Sequence, residues 1–382
     1  MSDLVPPTPG PKGSMLARYA GIAGAAVGVL AAGAAAGVLA ERRVVARRRD
    51  GSDESFGSVH SPGISVAADD DLRLHVEVDE LASTPPDGRM SRREWERRQT
   101  SPRATMVFVH GYALNLDSWH FQRLAFRGER RMVLFDQRSH GRSGRSRREH
   151  STIDQTGRDL AAVIGAVAPD EPVVLIGHSM GGMTIMALAE QHPDWFGSKV
   201  VGVALVSTSP GQLRASTLGL PGRAGRLVQL VSPAVLATLA RAPRLVESGR
   251  RVGSDLGFVL TRTMAFGGPV PQEYVDFTDE MLSATPVDVI ADFFPGFDLH
   301  DKYQALAAVG EVPTVVIAGA NDHITPLDHG RRIAEAITSA RLIEYDDAGH
   351  MIVLERHDDV TRELRDLVER ADAATPGGKR MR

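Results

Sequence analysis

The 382-residue sequence contains no cysteine. This absence excludes disulfide bonds, thiolate metal sites and a cysteine nucleophile, although it does not fix the compartment, because many exported proteins also lack cysteine. Neither sign of charge is in large excess, because the formal net charge is −4. The basic residues are almost all arginine. Such a balance gives no general attraction to nucleic acid, so we expect no polyanion partner.

Motifs that bind phosphate or metal are also missing. The sequence has no GxxxxGKS/T loop and no GxGxxG after a strand pattern, which are the usual phosphate-cradling sequences. Histidines do not cluster with carboxylates at metal-ligand spacing, and the three aspartates at 69–71 are typical of a turn. The sequence therefore implies no metal, nucleotide or other cofactor.

Hydrophobic residues make up 42% of the chain, which is enough for a sizeable core. Residues 1–18 are rich in proline and glycine and are predicted to form a flexible tail. Residues 19–40 contain no charged side chain, and a basic linker follows at 41–58, with arginines concentrated between positions 42 and 49.

Three interpretations fit residues 19–40. A membrane-spanning anchor fits the length of the uncharged run, and the arginine excess after it would keep the following domain on the cytoplasmic side. A cleaved signal peptide fits the small residues at Ala34–Ala36, and cleavage would export the domain. A soluble helix of alanine and glycine is the third interpretation. We expect membrane association through this segment, with secretion after cleavage as the alternative.

Short runs of β-branched residues alternate with amphipathic segments in the rest of the chain. GISVAADDDLRLHVEV is typical of a hairpin at a sheet edge. Five further strands are predicted in ATMVFVHG, RMVLFDQR, PVVLIGHS, VVGVALVSTS and PTVVIAGAND, with helices at 153–167, 181–191 and 327–338. Strands that are buried on both faces and separated by helices indicate an α/β fold with a doubly wound, mostly parallel sheet.

The predicted core is divided into two parts, at residues 59–209 and 301–372. Residues 210–300 between them have no strong strand pattern, and we interpret them as an inserted helical lid. Residues 373–382 are predicted to be a disordered tail.

The stretch VVLIGHSMGGMT places a serine directly after a predicted central strand. If Val173–Ile176 form that strand and a helix begins at Met180, Ser179 lies on the turn at the carboxyl end of the sheet, where ligand sites of open α/β sheets lie. So tight a turn gives the serine an unfavourable backbone conformation and leaves no room for side chains at Gly177 and Gly181. A GxSxG sequence in this context is typical of a nucleophile elbow.

A serine needs a base to become a good nucleophile, and the base needs a carboxylate to orient it. VVIAGANDHITP places Asp322 just after a predicted strand. IEYDDAGHMIVLER places His350 after a further, final strand. Both would lie at the same sheet edge as Ser179. Asp346 and Asp347 are rival acids because they lie near His350 in sequence. The loop STSPGQL after the sixth strand offers no carboxylate, which favours Asp322.

This arrangement resembles the α/β-hydrolase family, whose triad follows the chain order Ser, Asp, His, and the resemblance covers roughly residues 60–370. FVHGYALN is similar to the family's loop after the third strand, in which His110 and Gly111 support the following residue, Tyr112. The resemblance implies that the backbone N–H groups of Tyr112 and Met180 form an oxyanion hole. FDQRSHGRSG resembles the family's next loop, although Ser139 stands where glycine is commoner.

The sequence GHSMGG is similar to that of monoacylglycerol lipases and related carboxylesterases. The resemblance implies a serine hydrolase of small-molecule or lipid esters that forms an acyl-enzyme and needs no cofactor. A thioesterase, a carbon–carbon bond hydrolase or a cofactor-free perhydrolase would use the same triad, whereas dehalogenases and epoxide hydrolases have aspartate in place of Ser179. A non-catalytic binding protein on the same fold is a further alternative. Four histidines near these motifs are predicted to brace loops: His110, His140, His178 and His323.

Overall fold

The computed structural model describes residues 55–83, 103–213 and 261–374. The strands are β1 (Gly63–Ala67), β2 (Arg73–Asp79), β3 (Thr105–Val109), β4 (Met132–Phe135), β5 (Val173–His178), β6 (Val200–Val206), β7 (Thr314–Gly319) and β8 (Arg341–Tyr345). They form one sheet in the order β1-β2-β4-β3-β5-β6-β7-β8. Strand β2 pairs antiparallel with both β1 and β4, and every other pairing in this sheet is parallel.

Helices cover both faces of this sheet. They are α1 (His120–Phe126), α2 (Ile153–Val167), α3 (Met180–Gln191), α4 (Gln272–Ala284), α5 (Val287–Leu299), α6 (Leu306–Val309), α7 (Leu327–Ala336), α8 (Ile352–Glu355) and α9 (His357–Ala374). Alternate residues of β3 enter opposite cores, because successive side chains of a strand point to opposite faces. Phe108 packs in the core with α1 and α9, whereas Val107 packs in the core with α2, α3 and α7. The predicted doubly wound α/β fold is therefore confirmed.

The central strands are buried along their whole length, as expected for parallel strands with helices on both faces. The predicted edge hairpin is also present, and its turn closes with the Ala68 N–H donating to the Leu72 carbonyl at 2.9 Å. Among the predicted helices, α2 has the predicted bounds, α3 begins one residue before the predicted start, and α7 ends at Ala336, two residues before the predicted end.

The described part of the segment predicted to be a lid contains the helices α4 and α5. Pro271 and Pro286 directly precede these helices, and proline is well tolerated at a helix start because the first N–H groups have no partner within the helix. At the base of the segment, Gly211 forms a β-bridge with Asp301, and the Lys302 N–H donates to the Pro210 carbonyl at 2.7 Å. The chain therefore leaves the core and returns to it at one place.

Several predicted segments lie outside the described residues. They include residues 1–18 and 19–40, most of the linker at 41–58, the lid residues 214–260 and most of the tail at 373–382. Within residues 55–83, 103–213 and 261–374, no helix has the length and apolar character needed to cross a membrane. The three interpretations of residues 19–40 and the predicted domain bounds remain predictions.

A buried arginine connects three separate segments beside the hairpin. Arg138, in the loop after β4, has no exposed surface and donates to both carboxylate oxygens of Asp159 in α2, at 2.6 and 2.7 Å. The same guanidinium donates to Asp70 in the β1–β2 turn at 3.1 Å. Pairing with two carboxylates compensates for the burial of the arginine charge. The aspartate-rich turn is therefore held by ion pairs as well as by its own backbone.

We expect Asp159→Ala to lower the free energy of unfolding by about 3–5 kcal/mol, because the substitution removes one partner of a buried ion pair. Arg158→Ala, at the neighbouring position, removes a half-exposed ion pair with Asp69 and the hydrogen bonds from the same guanidinium to Gln155. Because the Arg158 side chain is half exposed, the substitution should cost about 1 kcal/mol or less. Urea unfolding followed by circular dichroism measures both values. Equal losses in the two variants would contradict the role assigned to Arg138.

Candidate active site

Ser179 lies on the turn between β5 and α3. Its backbone has φ 54° and ψ −119°, a sparsely populated region for a residue with a side chain that occurs mainly where the surrounding structure holds it in place. The Ser179 N–H donates to the Val206 carbonyl of β6 at 2.9 Å, which fixes the turn to the neighbouring strand. Met180, the first residue of α3, has no partner for its N–H within the helix.

Two glycines allow the strand, the turn and the helix to meet. A Cβ atom added to Gly177 would lie 2.6 Å from the Gly181 carbonyl carbon. A Cβ atom added to Gly181 would lie 2.6 Å from the Val109 carbonyl carbon, at the end of β3. These contacts involve backbone atoms that cannot rotate away, so larger residues would force the helix off the sheet.

His350 connects Ser179 with Asp322, although the three residues come from distant parts of the chain. The Oγ of Ser179 lies 2.9 Å from Nε2 of His350, and Nδ1 of His350 lies 2.9 Å from Oδ2 of Asp322. Because a carboxylate only accepts, Nδ1 carries the ring proton and Nε2 is left to accept the Ser179 hydroxyl proton. Asp347, a rival acid, is exposed and pairs with Arg356.

The Asp322 carboxylate receives several hydrogen bonds in addition to the one from His350. Oδ1 accepts from the N–H groups of Ile324 and Thr325 at 2.8 Å each, and Oδ2 accepts from the Thr325 hydroxyl at 2.8 Å. Burial opposes ionisation of this side chain, but the His350 ring and the Thr325 donors outweigh burial, and the pKa of Asp322 is lowered. The carboxylate is therefore ionised at neutral pH and fixes the orientation of His350.

The loop after β3 runs beside the nucleophile turn. A Cβ atom added to Gly111 would lie 3.2 Å from the Cβ of Ser179. Nε2 of His110 accepts from the Gln137 backbone N–H at 2.9 Å, so its proton is on Nδ1, which donates to the Gly111 carbonyl at 2.7 Å. That carbonyl and the Tyr112 N–H belong to one trans peptide unit and point in opposite directions. The His110 ring therefore sets the direction of the Tyr112 N–H.

A buried chain of polar side chains holds this loop from below. The Gln137 amide donates to the His110 carbonyl at 2.7 Å and accepts from the Thr184 hydroxyl of α3 at 2.8 Å. Thr184 in turn lies 2.8 Å from the hydroxyl of Thr156 in α2. Networks of this kind rigidify a site when every member has its partners.

A protein-family model described as the alpha/beta hydrolase fold matches residues 104–357. The chain belongs to the α/β-hydrolase family. The match includes the strands β3 to β8 and the three residues Ser179, Asp322 and His350.

Two relatives of this α/β-hydrolase family member match it at 30% identity or less. The chain is 30% identical over 116 residues to a monoacylglycerol lipase from Mycolicibacterium smegmatis, and the match covers 29% of this chain and 41% of the lipase. It is 28% identical over 271 residues to a pimeloyl-(acyl-carrier protein) methyl ester esterase from Chromobacterium violaceum, with 69% of this chain and 94% of the esterase covered. The chain thus spans less than half of the lipase's length.

A thermophilic esterase from Thermogutta terrifontis, solved with malate bound, has a similar structure. It superposes with a TM-score of 0.58 at 19% identity, and the match covers 82% of this chain and all of the esterase. At this identity the likeness concerns the fold alone.

A cluster of apolar side chains lies between the Ser179 turn and the helix α5. The Tyr112 hydroxyl donates to the Ile290 carbonyl of α5 at 2.5 Å, and the Tyr112 ring contacts the Phe297 ring with centroids 4.9 Å apart. The cluster consists of Tyr112, Ile153, Met180, Met183, Ala187, Leu213, Val289, Phe293 and Phe297. Tyr112 and Met180, which directly follow Gly111 and Ser179, therefore belong to an apolar cluster.

Sequence reasoning did not find the side chains that support the triad. Thr325 follows Asp322 by three residues, a spacing typical of local turns in which an aspartate accepts backbone N–H groups, so its role could be predicted from the sequence. The role of Gln137 could not, because it depends on how β3 and β4 lie side by side. Ser139 has a φ of 68°, which explains why glycine is commoner there.

Of the four histidines predicted to brace loops, His110, His140 and His178 are buried, whereas His323 is exposed. Burial lowers the pKa of His110 to about 4. Burial, together with a nearby histidine, lowers the pKa of His140 to about 3 and that of His178 to about 3. These three rings are therefore neutral in the folded protein at neutral pH.

We expect the free energy of unfolding to fall as the pH is lowered from about 6.5 to about 4, because the unfolded chain gains protons at these histidines and the folded protein does not. Each histidine contributes about 1.4 kcal/mol per pH unit in this range. Urea unfolding at a series of pH values measures the slope. His140→Gln should reduce it by one histidine's contribution, and an unchanged slope in this variant would contradict the assignment.

Proposed function

We propose that this α/β-hydrolase cleaves carboxylic esters through an acyl-enzyme intermediate on Ser179. The observation that carries the proposal is the pair of 2.9 Å contacts that join Ser179 to His350 and His350 to Asp322. A serine, a histidine with its proton on Nδ1 and an ionised carboxylate are the groups that acyl transfer requires, in the geometry that it requires.

In the proposed mechanism, Nε2 of His350 takes the Oγ proton as Ser179 attacks the ester carbonyl carbon. Asp322 stabilises the positive charge that develops on the imidazole. The N–H groups of Tyr112 and Met180 donate to the oxyanion, and one such donor is typically worth about 3–4 kcal/mol. His350 then gives its proton to the leaving alcohol, and a water molecule, activated by the same ring, releases the acid and restores Ser179.

We propose that the substrates are esters with apolar acyl groups. The support is the apolar cluster beside Tyr112 and Met180, which would adjoin the acyl carbon bound to Ser179. Apolar lining with few polar groups is the usual character of small-molecule sites. Two of the relatives described above are named as a lipase and a methyl ester esterase, which is consistent with ester hydrolysis.

A fluorophosphonate probe tests the nucleophile directly. We expect the wild-type protein to form one covalent adduct, located at Ser179 by peptide mass spectrometry, and Ser179→Ala to form none. Labelling of Ser179→Ala at the wild-type rate would refute the nucleophile assignment, and an unreactive wild type would refute the enzyme proposal.

Asp322→Asn tests the orienting carboxylate. An amide at this position can present its NH2 group to Nδ1 of His350, which favours the wrong tautomer, and we expect kcat on p-nitrophenyl esters to fall by roughly 10⁴-fold. Asp347→Asn is the matched control, because Asp347 lies three residues from His350 in sequence but is exposed; its kcat should stay within about twofold of wild type. A comparable loss in both variants would argue for a general structural effect.

A further inference from the structure

In the turn that carries His350, four consecutive residues, 348–351, each use a backbone group in a hydrogen bond. Two of these bonds come from other backbone groups: the Asn321 N–H donates to the Ala348 carbonyl at 3.0 Å, and the Met351 N–H donates to the Ala265 carbonyl at 2.8 Å. The other two come from side chains that the mechanism above does not use, His178 and Glu355. Each of these two bonds can be removed by substituting the side chain that makes it.

His178 connects the nucleophile to the base. It directly precedes Ser179, and its Nε2–H donates at 2.9 Å to the carbonyl of His350, which lies 172 positions later in the sequence. The bond places the His178 proton on Nε2, since a carbonyl only accepts. The two rings lie 4.9 Å apart. Because burial keeps His178 neutral, it does not oppose the positive charge that forms on His350.

Glu355 holds the same turn from the other side. Its Oε1 accepts from the Gly349 N–H at 2.7 Å, and its Oε2 accepts from the Gly267 N–H at 3.0 Å. The two glycine segments touch here, since a Cβ atom added to Gly267 would lie 2.7 Å from the Ala348 carbonyl oxygen. One carboxylate therefore joins the residue before His350 to the segment that leads into α4.

We propose that His178 and Glu355 are positioning residues that hold the His350 turn from two sides and so keep Nε2 of His350 within hydrogen-bonding distance of Ser179 Oγ. The proposal rests on the proposed function. The physical reason is that proton transfer depends steeply on geometry, and a displacement of about 1 Å can cost about 100-fold in rate. Neither side chain touches the reacting atoms.

The test compares variants of each residue in the full chain. We expect His178→Leu and Glu355→Ala to lower kcat on p-nitrophenyl butyrate by about 10- to 100-fold with KM within about twofold of wild type, because substrate binding does not use the lost bonds. Gln at position 178 can offer an N–H in place of Nε2, so His178→Gln should recover kcat to within about threefold of wild type. Wild-type kcat in His178→Leu, or no recovery in His178→Gln, would overturn the proposal.

A double variant tests whether the two side chains act on one turn. Once either bond is lost the turn can move, so His178→Leu with Glu355→Ala should lose much less activity than the product of the two single losses. Multiplied losses would show that the residues act independently, and that result would overturn the shared role.

His300→Leu is the matched control. His300 is also buried, and its Nε2 also bonds a backbone carbonyl, that of Ser209, at 2.9 Å. An equal loss of kcat in His300→Leu would show that losing any such bond lowers activity, and it would overturn the positioning role. The fluorophosphonate separates the two levels of the proposal. An unreactive wild type refutes the proposed function, whereas a reactive wild type and an equally reactive His178→Leu refute the positioning role alone.

Discussion

The contact between Gly181 and the end of β3 is the constraint on which the site depends. Strands β3 and β5 are neighbours in the sheet, so their carboxyl ends lie about 4.8 Å apart. A helix that starts directly after β5 can pass the Val109 carbonyl only if its second residue has no side chain. The same closeness brings the loop at His110–Tyr112 beside Ser179. One backbone contact thus determines where both the hydroxyl and the neighbouring N–H groups lie.

Burial also determines where charge can form in this site. The rings of His110, His140 and His178 surround the nucleophile turn and its neighbouring loop, and burial keeps all three neutral. Asp322 is ionised because its neighbours donate to it. The carboxylate is paired with His350, the one imidazole that also contacts the Ser179 hydroxyl. Neutral histidines here act as rigid donors and acceptors of fixed tautomer.

The sequence was informative where function is local in the chain. The strands around the serine and the elbow glycines could be predicted because each depends on a short stretch of sequence. Asp322 and His350 could be proposed as partners of Ser179 because each follows a predicted strand in its own stretch. Gln137, Glu355 and the bond from His178 to the His350 carbonyl could not, since each requires the spatial register of segments far apart in sequence. Thr325 lies between these cases, because its spacing from Asp322 is local in the sequence but its hydroxyl bond to the carboxylate forms only in the folded turn.

The bridge between Gly211 and Asp301 has an evolutionary consequence. Because the chain departs and rejoins at paired positions, the intervening segment can change in length or be exchanged as a cassette without shifting any strand. Its contacts with the core would constrain its replacement. The Tyr112 hydroxyl bonds the Ile290 carbonyl and the Thr285 hydroxyl bonds the Ala113 carbonyl. Ala265 bonds to the turn that carries His350, and Gly267 bonds to the Glu355 carboxylate that holds this turn. A replacement segment that kept these contacts would leave the His350 turn in place, so substrate preference could diverge while Ser179, Asp322 and His350 stayed constant.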